Sequence, residues 1–214
     1  KGYLPAAVLN YLLLLGWAPE GEQEIFSLDE MIKIWDPARI SKSPAIFDPL
    51  KLRAINAAYI RALPAEEFRR LADPFIDSAV HCDIDRDLLC ANLQPRCEVL
   101  EDIPPQLDFF DAVLPIDAEM YRNKKQKTTP ESAKEALTAL LPVLEAQTDW
   151  TRDAIFEACK TLAEQMEKKN GWLLFPLGIA LSGKARTPGG GTDLAAMMGR
   201  EETLKRVKDA LGKL

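Results

Sequence analysis

Apolar residues recur at helical spacing along most of this 214-residue chain. Between Pro5 and Gly16, leucine and valine side chains return every three or four positions, with proline near the start and glycine at the end, which is typical of a helix. Asp48 precedes a proline and a second apolar series, so we expect it to cap the next helix. Thr129 and Thr151 precede two further series in the same way, and Ser27 with Glu30 forms a capping-box pattern before another helix. No run alternates at period two, and the pattern therefore predicts an all-α fold.

Prolines and glycines predict where the helices end. The helix that begins at Pro64 is expected to stop at Asp73-Pro74, because a residue before proline is biased away from helical geometry. The helix capped by Thr151 is expected to close at Asn170-Gly171. Leu173–Leu181 is apolar but contains a proline and a glycine, so it is predicted to be buried and broken. Gly183–Asp193 is predicted to be a loop.

Composition and charge narrow the classes of protein. The chain is 47% hydrophobic and 28% charged, as in ordinary globular proteins. Its apolar runs are too short to span a bilayer and no signal peptide is visible, so we expect a cytoplasmic protein without a membrane partner. The net charge of −6 argues against nucleic-acid binding by the surface as a whole. Two local clusters, Lys124, Lys125 and Lys127 and then Lys184 with Arg186, leave RNA binding by one face open.

Residues able to carry chemistry are few. His81, Cys82, Cys90 and Cys97 lack the paired spacing of a structural zinc site, and we interpret the cysteines as reduced thiols. No nucleophile stands in a recognisable pattern with a base, so no catalytic residue and no metal site are predicted. Ser41–Pro44 contains a Lys-Ser pair of the kind that grips ATP, but a turn before the next helix is the favoured interpretation. The residues alone indicate a helical binding module whose ligand they do not identify.

A series of stretches carries a resemblance to a known family. The first stretch is Gly2–Tyr11 with Leu15-Gly16-Trp17. The later stretches are Ile25–Leu28, Ser41–Asp48, Lys51-Leu52, Asn56, Tyr59–Arg61, Asp149–Thr151, Pro176-Leu177, Ala180–Gly183, Thr187–Gly189 and Gly199–Leu204. In this order they resemble the C-terminal half of bacterial glutamyl-tRNA synthetases. The likeness extends over nearly the whole chain and is weakest from about Val99 to Pro130.

The resemblance implies the tRNA-reading part of a class I, ATP-dependent glutamate–tRNA ligase. Residues 1–61 would be a helical stem-contact segment, and 62–122 and 123–214 two helical anticodon-binding domains. ATP and Mg²⁺ would bind in the catalytic domain, so this part is expected to hold no cofactor and to be inactive alone. The implied partners are tRNA-Glu and also tRNA-Gln, and a monomer is expected. A helical protein–protein interaction scaffold is the alternative, and a stand-alone enzyme is a third reading.

The resemblance also implies site residues. Gln94 stands at a family position that carries Arg or Gln before Pro-Arg and approaches the third anticodon base. Arg there goes with enzymes that reject tRNA-Gln, so Gln94 implies a non-discriminating form that serves both tRNAs. Gly178 stands where the family often has Arg. The other implied contacts are Arg96, Lys184, Arg186, Thr187 and Pro188 with the anticodon, and Lys42, Lys51, Arg53 and Tyr59 with the tRNA stem.

Overall fold

A computed structural model of the protein describes residues 2–41 and 45–214. Its α-helices are α1 (Pro5–Gly16), α2 (Leu28–Ile34), α3 (Pro49–Ala62), α4 (Ala65–Asp77), α5 (Arg86–Leu93), α6 (Pro130–Ala146), α7 (Arg152–Gln165), α8 (Asn170–Ser182), α9 (Gly191–Met198) and α10 (Arg200–Lys213). Short 3-10 helices cover Pro37–Arg39, Gln94–Arg96, Leu100–Asp102, Pro104–Gln106 and Ala118–Tyr121. Within the described ranges, strand-like pairing is limited to the isolated bridges Trp17–Ile40 and Asn123–Thr128. The prediction of an all-α fold is confirmed.

Side-chain caps fix the starts of the helices as the sequence predicts. At α2, Ser27 Oγ accepts a hydrogen bond from the Glu30 backbone N–H (3.3 Å), and the Glu30 carboxylate accepts one from the Ser27 N–H (2.7 Å). At α3, Asp48 Oδ1 accepts from the N–H groups of Leu50 (2.9 Å) and Lys51 (3.1 Å). Helices α6 and α7 begin at their threonine caps. Each cap satisfies N–H groups that have no partner inside the helix, which is typically worth about 1 kcal/mol.

Two helices contain a proline where the sequence pattern predicts a break, and both predictions are wrong. Helix α4 continues through Pro74, and α8 continues through Pro176. In α4 the fully buried Phe68 and Ile76 lie on either side of the proline, and in α8 the fully buried Leu173 and Leu177 do so. A buried large apolar side chain stabilises the fold by roughly 1.5–3 kcal/mol, so two or more offset the cost of about 3 kcal/mol of an internal proline.

The boundary between α7 and α8 also differs from its prediction. Helix α7 ends at Gln165, and Asn170-Gly171 begins α8 instead of closing α7. The terminating residue is Glu167, whose φ of 54° lies in the left-handed region. The Lys168 N–H then reaches back to the Ala163 carbonyl at 2.8 Å, which is the geometry of a Schellman cap. Glycine usually occupies the left-handed position, so a glutamate there gives no signal in the sequence.

The chain packs as two compact units. The first comprises Lys1–Phe75 and Leu93–Pro104, and the second comprises Ile76–Asn92 and Pro105–Leu214. Packing units and functional domains are different divisions of a chain. The domain limits 1–61, 62–122 and 123–214 therefore stay a prediction.

Buried asparagines organise the first unit, in which α1 packs on α3 and α2. Asn56 of α3 is fully buried and accepts a hydrogen bond from the Leu4 N–H at 2.8 Å, which fixes the start of α1. Asn10 of α1 is also fully buried and accepts from the Phe26 N–H at 2.8 Å and from the Tyr59 hydroxyl at 2.9 Å. A buried amide is tolerated only when its polar atoms are bonded, so these contacts define one arrangement of the three helices.

A buried arginine organises the second unit, in which α8 contacts α6, α7, α9 and α10. Arg206 of α10 is only 2% exposed. Its guanidinium donates to the carbonyls of Phe109 (2.7 Å), Phe110 (2.6 Å) and Leu181 (2.7 Å), and it pairs with Glu202 at 2.7 Å. One side chain thus ties α10 to the end of α8 and to an irregular segment. None of the helices in the described part of the chain is both long and apolar enough to cross a bilayer.

Candidate nucleic-acid interface

Gln94 lies in the first unit, in the 3-10 helix that follows α5. Its side-chain Nε2 donates to the carbonyls of Ile60 (3.0 Å) and Leu63 (2.9 Å), both at the C-terminal end of α3. Helix ends leave carbonyls without intrahelical partners, so the amide acts as a cap for α3. Arg96, two residues further on, is exposed.

The capping role determines what Gln94 can offer to a ligand. Both amide hydrogens are directed at carbonyls of α3, which also fixes the orientation of the amide. The polar atom of Gln94 without such a bond is Oε1, an acceptor. A glutamine amide without these bonds would present both a donor and an acceptor to a base, whereas Gln94 presents only the acceptor.

The residues expected to contact the tRNA stem are engaged within the first unit. Lys51 pairs with Glu24 at 2.5 Å. Arg53 donates to Glu98 at 2.8 Å and pairs with Asp102. The hydrogen bond to Glu98 contributes most to raising the pKa of Arg53, followed by the hydrogen bond to Asp102. Lys42 lies outside the described residues. The acidic partners neutralise two of the cations, and their contact with RNA stays a prediction.

Tyr59 is directed into the first unit. Its hydroxyl contacts Asn10 Oδ1 and the Phe26 carbonyl. Burial, with a smaller contribution from the negative charge of Glu30, raises the pKa of Tyr59. The phenol thus joins α3 to α1 and to the segment before α2, and its predicted stem contact remains untested.

Lys184 follows the left-handed cap of α8 in the second unit. Its ammonium donates to the Pro105 carbonyl at 2.8 Å and forms an ion pair with Asp108. Its backbone N–H donates to Ser182 Oγ at 3.0 Å. Lys184 is therefore bound to its own unit, whereas Arg186, its neighbour in the predicted basic cluster, is exposed.

The Thr187-Pro188 loop is held against the start of α9. Thr187 Oγ1 donates to the Gly189 carbonyl at 2.6 Å, and Pro188 is buried. The Gly190 N–H donates to Asp193 at 2.7 Å. The loop predicted to extend to Asp193 ends instead at Gly190, because Gly191 begins α9. A loop fixed in this way presents backbone groups in one conformation, which suits recognition of unpaired bases.

Gly178 of α8 lies beside the first residue of α9, which directly follows that loop. A Cβ atom added at Gly178 would lie 3.8 Å from the Gly191 backbone nitrogen, which is an ordinary contact. The position where the family often carries Arg therefore adjoins the start of α9. An arginine at this position would be expected to contact a base, and Gly178, which has no side chain beyond a hydrogen atom, cannot make that contact.

An apolar surface occupies one part of the first unit. All the large hydrophobic side chains that are exposed among the described residues lie between positions 9 and 50. A groove of about 560 Å³ runs among them, and its lining residues include Leu9, Leu12, Trp17, Ile32 and Trp35. Exposed apolar surface of this extent usually marks an interface.

The cysteines occupy environments that favour the thiol. Burial raises the pKa of Cys97 and of Cys159 to about 12. Cys90 is buried and Cys82 is exposed, and none of these cysteines forms a disulfide. In the ranges 2–41 and 45–214, no three His, Cys, Asp or Glu side chains come together as metal ligands.

Comparison with protein families gives two matches that together cover nearly the whole chain. Residues 52–211 match the family described as "Anticodon binding domain". The chain belongs to the anticodon-binding domain family. Residues 1–54 of this family member match a second model, "tRNA synthetases class I (E and Q), catalytic domain". The apolar surface at positions 9–50 lies inside that second match.

Curated relatives and solved structures agree with this assignment. The chain is 46% identical over 214 residues to a glutamate–tRNA ligase of Clostridium botulinum and 43% identical over 215 residues to one of Clostridium acetobutylicum. A glutamate tRNA ligase from Elizabethkingia meningosepticum, solved in complex with its amino acid, matches with a TM-score of 0.85 and 28% identity over 100% of this chain and 42% of that one. All of this chain is matched by the two Clostridium relatives, but it spans 44% of their length.

Proposed function

We propose that this chain is the tRNA-reading portion of a glutamate–tRNA ligase and that it binds the anticodon arm of tRNA-Glu. The observation that supports it most is the match of residues 52–211 to the anticodon-binding family, together with 46% identity to a glutamate–tRNA ligase over the whole chain. The ATP-dependent joining of glutamate to tRNA, with its Mg²⁺, is assigned to the remainder of the ligase. The scaffold alternative is less favoured, because it explains neither match.

The binding proposal predicts salt-dependent recognition of one hairpin. We expect the chain to bind the anticodon stem-loop of tRNA-Glu at about 50 mM salt at least tenfold more tightly than a hairpin with the same stem and a scrambled loop. Affinity should fall steeply towards about 200 mM salt, because counterions are released when cations contact phosphates. Filter binding at several salt concentrations measures both properties. Equal binding to the two hairpins, or none at low salt, would contradict the proposal.

A finer proposal is that Gln94 allows the ligase to accept tRNA-Gln as well. The two tRNAs differ at the third anticodon base, C in tRNA-Glu and G in tRNA-Gln. With its amide hydrogens bonded to α3, Gln94 presents the acceptor Oε1. Cytosine offers the N4 amino group and guanine offers N1–H and the N2 amino group, so one acceptor can serve either base. An arginine presents donors only. They suit N3 and O2 of cytosine, whereas the same edge of guanine offers one acceptor, O6, beside two donor groups, N1–H and N2.

Replacing Gln94 by arginine in the complete ligase should separate the two tRNAs. We expect Gln94→Arg to lower kcat/KM for charging tRNA-Gln by about tenfold relative to tRNA-Glu, since a mismatched base contact costs about 1–3 kcal/mol. The control is Ala91→Arg, which adds the same charge at an exposed position of α5. An equal change for both tRNAs with Gln94→Arg would refute the role of Gln94 in discrimination.

A further inference from the structure

A basic turn joins the last 3-10 helix to α6 in the second unit. The lysine turn, residues Asn123–Thr128, closes with reciprocal backbone hydrogen bonds of 3.1 Å between Asn123 and Thr128. Asn123 Oδ1 accepts from the N–H groups of Lys125 (3.0 Å) and Gln126 (3.1 Å). Thr128 Oγ1 is buried and donates to the Tyr121 carbonyl at 2.7 Å. These hydrogen bonds hold the backbone of the turn in one conformation.

The lysine turn gathers positive charge without neutralising it. Lys124, Lys125 and Lys127 are all exposed. Among the described residues, no carboxylate oxygen lies within 4.0 Å of their ammonium nitrogens. Lys184, in contrast, is paired with Asp108. Of the two basic clusters in the sequence, the lysine turn is thus the one whose three ammonium groups remain available to a ligand.

The backbone of the lysine turn carries strain in addition to charge repulsion. Lys127 has a φ of 57°, in the left-handed region that residues with a side chain seldom occupy. Such a conformation costs of order 1 kcal/mol and often coincides with a functional site. Three like charges on one turn of a protein with a net charge of −6 add to that cost. A polyanionic ligand would relieve the repulsion between the three charges.

The lysine turn lies against the first turn of α8. A Cβ atom added at Gly171 would fall 1.8 Å from Oε1 of Gln126, so the glutamine packs directly on the glycine. Lys168 and Lys169, immediately before α8, are also exposed. The start of α8 has no side-chain cap, and its N–H groups add partial positive charge to the same region.

The position of the lysine turn fits the stem of an RNA hairpin. Helix α8 extends for about 20 Å, with the lysine turn at its N-terminal end and the loop of Thr187 after its C-terminal end. A hairpin whose loop bases meet the Thr187 loop continues as an A-form stem, which can run back along the length of α8. The stem presents regularly spaced phosphates, which lysine binds as a point charge.

We propose that the lysine turn binds the backbone phosphates of the RNA stem next to the anticodon loop. The assignment rests on the proposed function, because it requires a hairpin to be bound. Phosphate contacts position an RNA without reading its sequence. The lysine turn therefore contributes affinity and orientation, while the loop near Thr187 in the same unit contributes selectivity.

A charge-removal variant of the complete chain tests the assignment. In the test variant Lys124→Gln and Lys125→Gln are combined with Lys127→Asn, because asparagine tolerates the left-handed conformation. The control variant combines Lys160→Gln, Lys205→Gln and Lys208→Gln. These lysines pair with Glu157, Glu202 and Glu145, and Lys205 and Lys208 are exposed while Lys160 is half-buried. Both variants remove three positive charges from the second unit, and circular dichroism checks that both remain folded.

The expected result is a loss of affinity without a loss of selectivity. We expect the test variant to bind the anticodon stem-loop about tenfold or more weakly at low salt. Its plot of log K against log salt should be shallower by about 2 to 3, close to one for each lysine that contacts a phosphate. The ratio of affinities for the correct and scrambled loops should stay as in the unmodified chain. The control variant should keep most of the slope.

Other outcomes overturn the assignment and are distinguishable from failure of the proposed function. An unmodified chain that binds no hairpin removes the proposed function and with it this inference. An unmodified chain that binds, with a test variant of the same affinity and slope, removes only the inference. A test variant that keeps RNA binding but loses binding to polyglutamate would assign the lysine turn to an acidic protein partner instead.

Discussion

Arg206→Met is expected to lower the free energy of unfolding of the second unit by about 3 kcal/mol. Arg206 is almost completely buried and donates to the carbonyls of Phe109, Phe110 and Leu181. Methionine retains much of the side-chain volume but no donor, so three carbonyls lose their partner in a site closed to water. Each unsatisfied group costs roughly 1 kcal/mol or more. The thermal midpoint should fall by about 10 °C.

Urea denaturation followed by circular dichroism measures the change. Lys205→Met is the matched control, because Lys205 is the exposed neighbour of Arg206 on α10 and pairs with the same Glu202. An exposed ion pair contributes little, so the control should change the free energy of unfolding by less than about 0.5 kcal/mol. Arg206→Lys keeps the charge but cannot reach three carbonyls as a planar fork does, and it should fall between the two. Equal stability of the Met and control variants would contradict the prediction.

Gly191→Ala is expected to destabilise the second unit by about 1–3 kcal/mol, the usual cost of forcing extra volume into a packed site. Gly191 begins α9 at the point where α9 crosses α8. An added Cβ would lie 2.7 Å from the Leu174 carbonyl oxygen, 3.0 Å from the Gly178 nitrogen and 3.1 Å from Leu177 Cβ. Two of these three neighbours are backbone atoms of α8, so relief requires the helices to separate.

Gly178→Ala provides the matched control at the same crossing. Its Cβ would meet Gly191 at 3.8–3.9 Å, an ordinary contact, and alanine favours the interior of a helix over glycine by nearly 1 kcal/mol. We therefore expect Gly178→Ala to be neutral or stabilising by up to about 1 kcal/mol in the same denaturation experiment. Equal destabilisation by the two alanines would contradict the prediction that only a Cβ at Gly191 is crowded.

The fold class and most helix starts could be predicted from the sequence because their causes are local. The caps at Ser27, Asp48 and Thr129 act on N–H groups within three residues of the cap. The helix ends, and the helices that continue through a proline, are harder to predict from the sequence. Whether a helix continues through Pro74 depends on the burial of side chains by distant parts of the chain, and this is not encoded in the neighbouring residues.

The candidate site could be predicted less completely, because its electrostatics depend on partners far away in sequence. The acidic residues that bind Arg53 lie 45 and 49 positions further along the chain, and the acceptor of Lys184 at Pro105 lies 79 positions before it. A list of basic residues cannot distinguish such bound cations from those of the lysine turn. Gln94 shows the same limit, since its capping of α3 joins residues more than 30 positions apart.

The exposed apolar surface between positions 9 and 50 has a practical consequence for the isolated polypeptide. Its side chains, Leu12, Ile32 and Trp35 among them, order the surrounding water unless another surface covers them. As the polypeptide becomes more concentrated, copies can shield one another, and the tendency to cluster strengthens on warming towards body temperature. Titrations of RNA should therefore keep the polypeptide dilute and cool and vary the RNA instead, so that clustering is not mistaken for cooperative binding.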